Sequence, residues 1–173
     1  MTGDAVWYEA ALLVGITNAL NVVADSPLAS LEPPETSADA EAVFAEIRAF
    51  YSRAVPAPFM RLAADPGYLA EVWAATRRAF ADNRLKRRFK EALAFAVSVT
   101  TRSAFGTEFH LGELRRAGVG PGGVMEILGV TQMFSSYTKI ADTLQLETDM
   151  HDIAPVDWSP APGGAPRHPQ TVR

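Results

Sequence analysis

Apolar residues recur every three to four positions along most of the chain, a spacing that predicts a protein built from α-helices. The pattern runs from Asp4 to Glu147, and no run of alternating β-branched residues indicates a strand. Prolines, glycines and capping residues divide it into six or seven helices. Their predicted bounds are about 6–25, 38–53, 59–64, 66–83, 85–102, a short helix ending at 117, and 121–144. We therefore expect an all-α orthogonal helical bundle.

The end signals of the predicted helices are local. Thr36 and Ser37 supply a cap for the second helix, while Asp65 and Pro66 place a capping carboxylate before a proline at the first helical position. Gly118 supplies the left-handed residue that commonly follows a helix. The same spacing predicts the core-facing positions of the fifth helix, Phe89, Leu93, Ala96 and Val97, and of the last one, Val124, Ile127, Leu128, Thr131 and Phe134.

The helical pattern predicts one domain over residues 1–150, followed by a tail at 151–173 that is rich in proline and glycine. Within the domain, residues 8–25 align without a gap with residues 125–142, and both segments close on an Ala-Asp pair. Two amphipathic helices of similar composition can match by chance. The alternative is that the first helix is a remnant of a preceding repeat.

Composition narrows the classes of function. The chain has no cysteine, which excludes disulfides, thiolate metal sites and any thiol nucleophile. A net charge of -4 argues against a general nucleic-acid binder. No basic residue precedes Arg48, so we expect no secretory signal, and the apolar stretch from Val6 to Val23 contains enough polar residues that we expect it not to span a membrane. The expected location is the cytoplasm.

The most informative residues are Glu91 in an apolar helix, Ser103 and Gly106 at the start of the next, and His110 four residues later. This arrangement resembles the alkylhydroperoxidase D-like family, whose pattern is a Glu, a Cys-x-x-Cys pair and a His in this order. Ser103 and Gly106 stand at the two cysteine positions. The resemblance covers roughly residues 38–146 and includes the proline-rich link at 55–59 and the helix restart at 118–121.

The resemblance implies an all-α fold of the alkylhydroperoxidase D-like type and an oligomer such as a homotrimer or homohexamer. Thiol peroxidase chemistry is excluded, because a serine hydroxyl cannot form a reversible disulfide and glycine has no side chain. The class also resembles carboxymuconolactone decarboxylase, which does not need cysteine. We therefore expect cofactor-free acid–base chemistry on a small carbonyl or lactone acid, with Glu91 and His110 as the catalytic residues.

A non-catalytic reading of the same residues stays open. Arg87 and Arg88 lie one turn before Glu91, so the carboxylate can form an ion pair within its helix. His110, between two apolar residues, can be a core histidine. The chain would then be a binding or assembly module, a pseudoenzyme that retains the scaffold.

Other candidates concern the substrate. Five of the seven residues from Arg84 to Lys90 are basic, which suits either an anion-attracting rim beside the site or a solvated face paired with acidic groups. We name Arg87, Ser103 and Tyr137 as candidate substrate-binding residues. His151 and His168 are expected at the surface, and no ligand spacing on one helix face indicates a metal site. We expect no nucleic-acid or membrane partner.

Overall fold

Seven α-helices make up the part of the chain that the computed structural model describes, residues 4–27 and 35–146. They are α1 Asp4–Asp25, α2 Ala38–Tyr51, α3 Ala57–Leu62, α4 Pro66–Phe80, α5 Arg87–Thr100, α6 Ala104–Arg116 and α7 Pro121–Thr143. These residues contain no strand. The all-α prediction is confirmed. The predicted tail at 151–173, with His151 and His168, lies outside the described residues.

The predicted end signals are confirmed in detail. The Ser37 hydroxyl accepts a hydrogen bond from the backbone N–H of Ala40 at 3.2 Å, and the Asp65 carboxylate accepts one from the N–H of Tyr68 at 3.0 Å. Each cap satisfies a backbone donor that has no partner within its helix. Gly118 follows α6 with a φ of 79°, the left-handed conformation that glycine adopts at little cost.

An aromatic cluster forms the core between α2, α3, α4 and α6. Trp73 is its centre, and its ring meets those of Phe50 and Phe59 edge to face at 5.4 and 5.8 Å. Its indole N–H donates to the Glu46 carboxylate at 2.9 Å, so the buried ring keeps its polar atom satisfied. The buried members of the cluster are Ala40, Phe44, Ile47, Tyr51, Phe59, Ala63, Leu69, Trp73 and Phe109.

Helix α1 packs across α3, α4, α5 and α6 and is fixed by polar contacts at two points. Near its start, Glu9 pairs with the fully buried Lys90 of α5, with 2.5 Å between Oε1 and Nζ. The Lys90 ammonium also donates to the Ala81 carbonyl and the Asn83 side chain at 2.6 Å each. Near its end, Asn21 donates to the Ser98 hydroxyl at 3.1 Å. These contacts make α1 an integral part of the bundle.

The residues Ala5–Asp25 of this helix are long and apolar enough to cross a membrane by length and composition. This differs from the sequence expectation that the stretch is too polar. Its polar residues Glu9, Thr17 and Asn21 are nevertheless buried against the rest of the bundle, as in a helix of a folded core.

The predicted buried face of α5 is wrong. Phe89 is 53% exposed, and Leu93, Ala96 and Val97 are only half-buried. The buried positions are instead Lys90, Glu91, Ala94, Phe95 and Ser98. The sequence did not indicate this face because two of its five residues carry charges, and a stripe that contains charged residues is typical of a solvent-exposed face.

Helix α7 has no buried residue, although it is 23 residues long and largely apolar. Val124, Ile127, Leu128 and Thr131, predicted to face the core, are half-buried, while Phe134 is 66% exposed. Within the described residues its main contact is with α5. The two helices that align in sequence, α1 and α7, therefore have different surroundings, and the origin of their similarity stays a prediction.

Candidate functional site

Glu91 of α5 and His110 of α6 are in direct contact. The packing of these two helices places Oε2 of Glu91 2.8 Å from Nδ1 of His110. Both side chains are almost enclosed, with 1% of Glu91 and 9% of His110 exposed. The structure therefore brings together the two residues that the sequence singled out.

Arg87 holds the other oxygen of the same carboxylate. Its Nε lies 2.5 Å from Oε1 of Glu91, one turn along α5. The guanidinium carbon lies 4.7 Å from the ring centre of Phe50, 5.5 Å from that of Tyr51 and 5.3 Å from that of Phe80. A cation over aromatic faces is attracted to their negative π-clouds. Arg87 is thus fixed by three rings and a carboxylate.

A second carboxylate, Glu113, lies on the far side of Arg87, one turn after His110. Its Oε2 is 3.9 Å from the Arg87 guanidinium, and its Oε1 accepts from Arg116 at 2.9 Å and from Arg53 at 3.4 Å. The Glu113 side chain is only 10% exposed. Carboxylates and guanidinium groups therefore alternate in a continuous series that leads from the His110 ring to the surface arginines.

The imidazole of His110 is held between aromatic rings. It stacks on Phe80 at 5.7 Å with 7° between the planes, and it meets the edge of Phe109 at 5.1 Å. Its second nitrogen, Nε2, has no hydrogen-bond partner among the described residues. Among these, the buried side-chain atoms without a partner are Glu9 Oε2 and Thr17 Oγ1 only.

Tyr51 contributes its ring to the cage around Arg87 and is itself buried. Burial raises the pKa of Tyr51 well above its usual range, and the nearby negative charge of Glu91 adds to this effect. The phenol therefore stays protonated and neutral beside the Glu91 carboxylate.

The two positions that correspond to the missing cysteines serve packing and capping. Ser103 is buried and caps α6, its hydroxyl accepting from the N–H of Gly106 at 2.9 Å. Gly106 faces α1 so closely that an added Cβ would lie within 3.0 Å of the Asn21 amide and the Ser98 hydroxyl. The side chain of Asn21 thus fills the space that a cysteine at 106 would need. Among the described residues, no contact joins Ser103 to Glu91 or His110.

Tyr137 is 59% exposed on α7, and the described residues include no contact between it and Glu91 or His110. Of the three candidate substrate-binding residues, only Arg87 therefore lies at the Glu91–His110 pair, where its guanidinium already contacts a carboxylate and three rings.

The basic run from Arg84 to Lys90 is neither a rim nor a uniformly solvated face. Arg87 and Lys90 point inward and pair with carboxylates, whereas Lys86 is exposed and lies 3.8 Å from Asp82. Arg88 is exposed and has no partner among the described residues.

Sequence reasoning missed Glu113, Glu9 and Asn21, each of which has a partner on another helix. A signal for Glu113 was present, because it shares a face of α6 with His110 three residues earlier. No comparable signal identifies Glu9 or Asn21. Within the described ranges, no group of three or more His, Asp or Glu side chains is placed to hold a metal ion.

Comparison with known proteins finds a similarity over the helices that carry Glu91 and His110. Residues 66–147 match the sequence model of the carboxymuconolactone decarboxylase family. The matched segment is therefore similar to this family. It spans α4 to α7 and so includes Arg87, Glu91 and His110, whereas α1 to α3 precede it.

Among solved structures, a similar fold is seen in the alkylhydroperoxidase AhpD core from Rhodospirillum rubrum. It superimposes on this chain with a TM-score of 0.61 at 23% sequence identity, covering 65% of this chain and 85% of that one. The likeness confirms the predicted alkylhydroperoxidase D-like fold. No curated protein sequence matches the chain.

Proposed function

We propose that this protein is a cofactor-free acid–base enzyme for a small carbonyl or lactone acid, with His110 as the proton-transferring residue. The observation that carries the proposal is the 2.8 Å contact between His110 Nδ1 and Glu91 Oε2, together with an Nε2 that has no partner among the described residues. A carboxylate accepts hydrogen bonds only, so Nδ1 carries the proton of this contact. In the neutral ring Nε2 is then the basic nitrogen.

Glu91 has a positioning role in this proposal. Arg87 engages one carboxylate oxygen and His110 the other, and only 1% of the side chain is exposed, so the carboxylate is closed to a substrate. The carboxylate fixes the ring orientation and stabilises the imidazolium that forms when Nε2 takes a proton. Arg87 in turn fixes Glu91, which differs from the substrate-binding role suggested by the sequence.

The proposed step is a proton transfer at carbon. Nε2 removes a proton from the carbon next to a substrate carbonyl, the electron pair moves onto the carbonyl oxygen as an enolate, and the imidazolium returns a proton to carbon. A buried, water-poor site favours such a transfer, because fixed charges act strongly there.

The test uses the purified protein with a panel of γ-lactone acids and 3-oxo acids in D₂O, followed by proton NMR. We expect deuterium uptake next to the carbonyl with at least one member of the panel. His110→Gln should slow this by about 10²–10⁴-fold, the usual contribution of a general base. Arg88→Ala, an exposed change on the same helix, is the control. Equal rates for His110→Gln and wild type would refute the assignment.

Glu91→Gln is a less clean test of the proposal than His110→Gln. Because Glu91 is 1% exposed and pairs with Arg87, its neutralisation leaves a partly buried guanidinium short of charge compensation. We therefore expect this variant to lose both activity and thermal stability.

A second candidate is a non-catalytic binding or assembly module. The ion pair between Arg87 and Glu91 and the enclosure of His110 by aromatic rings favour it, since both are typical of a structural core. On this hypothesis no member of the panel reacts. His110→Gln then changes only the melting temperature.

We also propose that the chain forms a homo-oligomer in which α7 is covered. A contiguous apolar surface that is exposed on a monomer usually marks an interface with another protein. The exposed apolar side chains of α7 are Met125, Val130, Met133, Phe134, Tyr137 and Ile140.

A further inference from the structure

A groove on the outer face of α6 contains more positive than negative charge. It encloses about 440 Å³ and is lined by Arg53, Phe105, Glu108, Phe109, Leu111, Gly112, Arg115 and Arg116. The three arginines face one carboxylate in the lining, Glu108, and one beneath it, Glu113. The groove therefore attracts an anion.

The three arginines differ in whether their N–H donors already have partners within the protein. Arg53 and Arg116 share Oε1 of Glu113, and Arg116 also donates to the Tyr51 carbonyl at 3.3 Å. Arg115 is exposed and has no partner among the described residues, so all five of its N–H donors are available. A guanidinium binds a carboxylate through two parallel hydrogen bonds.

Part of the lining of the groove is apolar. The rings of Phe105 and Phe109 stack with 5.6 Å between centres and 21° between planes, and Leu111 lies on the same helix. Gly112 leaves open space, because a Cβ added there would meet no atom within 4 Å. A flat apolar group fits beside these rings while its charge lies at the arginines.

We propose that this groove binds a small organic carboxylate with a flat, unsaturated or aromatic body. Arg115 and Arg116 hold the carboxylate, and Phe105 and Leu111 contact the body. The groove is separated from His110 by a single ring, that of Phe109, yet the proposal does not depend on the role of His110 in catalysis.

Titration of the full-length protein with benzoate, followed by NMR of the backbone amides, tests the proposal. We expect saturable shifts centred on α6, with a dissociation constant on the order of 1 mM for so small a ligand. Arg115→Ala should weaken binding by about ten-fold or more, since it removes a charge-assisted pair. Arg88→Ala removes an equally exposed arginine outside the groove and should leave the affinity unchanged.

Three further measurements sharpen the result. Gly112→Leu fills the open space without changing the charge and should abolish binding. Inorganic phosphate and benzyl alcohol, which lack the apolar body and the charge respectively, should each bind more weakly than benzoate. Binding must persist in His110→Gln, so that failure of the proposed catalysis leaves this result intact. Unchanged affinity in Arg115→Ala, phosphate binding as tight as benzoate, or no saturable binding would overturn the proposal.

Discussion

Replacing Gly106 by alanine tests how α1 packs on the start of α6. The added Cβ would lie within 3.0 Å of the Asn21 side chain and of the Ser98 hydroxyl, closer than real Cβ contacts. The Asn21 amide cannot retreat freely, because it donates to Ser98 at 3.1 Å and to Thr101 at 3.3 Å. The substitution therefore forces either the two helices apart or the amide out of its place.

Each response lowers the free energy of unfolding by a similar amount. Separating packed helices costs about 1–3 kcal/mol, the usual range for an overfilled core. Displacing the Asn21 amide instead loses two hydrogen bonds, each worth about 1 kcal/mol. Alanine recovers up to about 1 kcal/mol through its higher helix propensity. We expect a net loss of about 1–2 kcal/mol.

Equilibrium unfolding in urea, monitored by circular dichroism at fixed protein concentration, measures the effect. Gly112→Ala is the matched control, because it adds the same methyl group to the same helix where no atom lies within 4 Å. It should raise stability by about 0.5–1 kcal/mol. Adding Asn21→Ala to Gly106→Ala should restore part of the loss, as expected for coupled neighbours. Equal stabilities of the two glycine variants would refute this reasoning.

Three further outcomes are expected. Burial alone would raise the pKa of Glu9, but hydrogen bonds from Lys90 and the Leu85 N–H hold this pKa below its usual value. The ionised Glu9 therefore stabilises the fold above the unfolded pKa of about 4.3, and this stabilisation is lost as pH falls through the folded pKa. The difference in unfolding free energy between wild type and Glu9→Gln should therefore shrink on acidification; a constant difference contradicts this. Because burial raises the pKa of Tyr51, stability should fall as pH rises above about 10, and less so in Tyr51→Phe, as alkaline urea titrations would reveal. Phe134→Asp should convert the proposed oligomer to a smaller species in light scattering, whereas Tyr68→Asp, an exposed aromatic on α4, should not; an unchanged mass for Phe134→Asp argues against α7 as the interface.

The Glu91–His110 pair was predictable because its spacing resembles a known family pattern, but the predicted buried face of the helix that carries Glu91 was wrong. Arg87 and Lys90 led to the prediction that their side of α5 is exposed, since charged residues are rarely buried without partners. Their partners are three aromatic rings and the carboxylates of Glu91, Glu113 and Glu9. Most of these lie on other helices, so no local pattern on α5 indicates that the two cations point inward.

By itself the sequence determined the helices and their order, and it placed their ends to within about three residues, because caps such as Asp65 and Gly118 act within one turn. It also excluded thiol chemistry, which needs an atom that the chain lacks. Only the tertiary structure decided that Asn21 fills the space beside Gly106, across 77 positions from its partner Ser98. The same holds for both oxygens of Glu91, which contact Arg87 and His110. Such contacts depend on how helices pack, and packing is a property of the whole chain rather than of any segment.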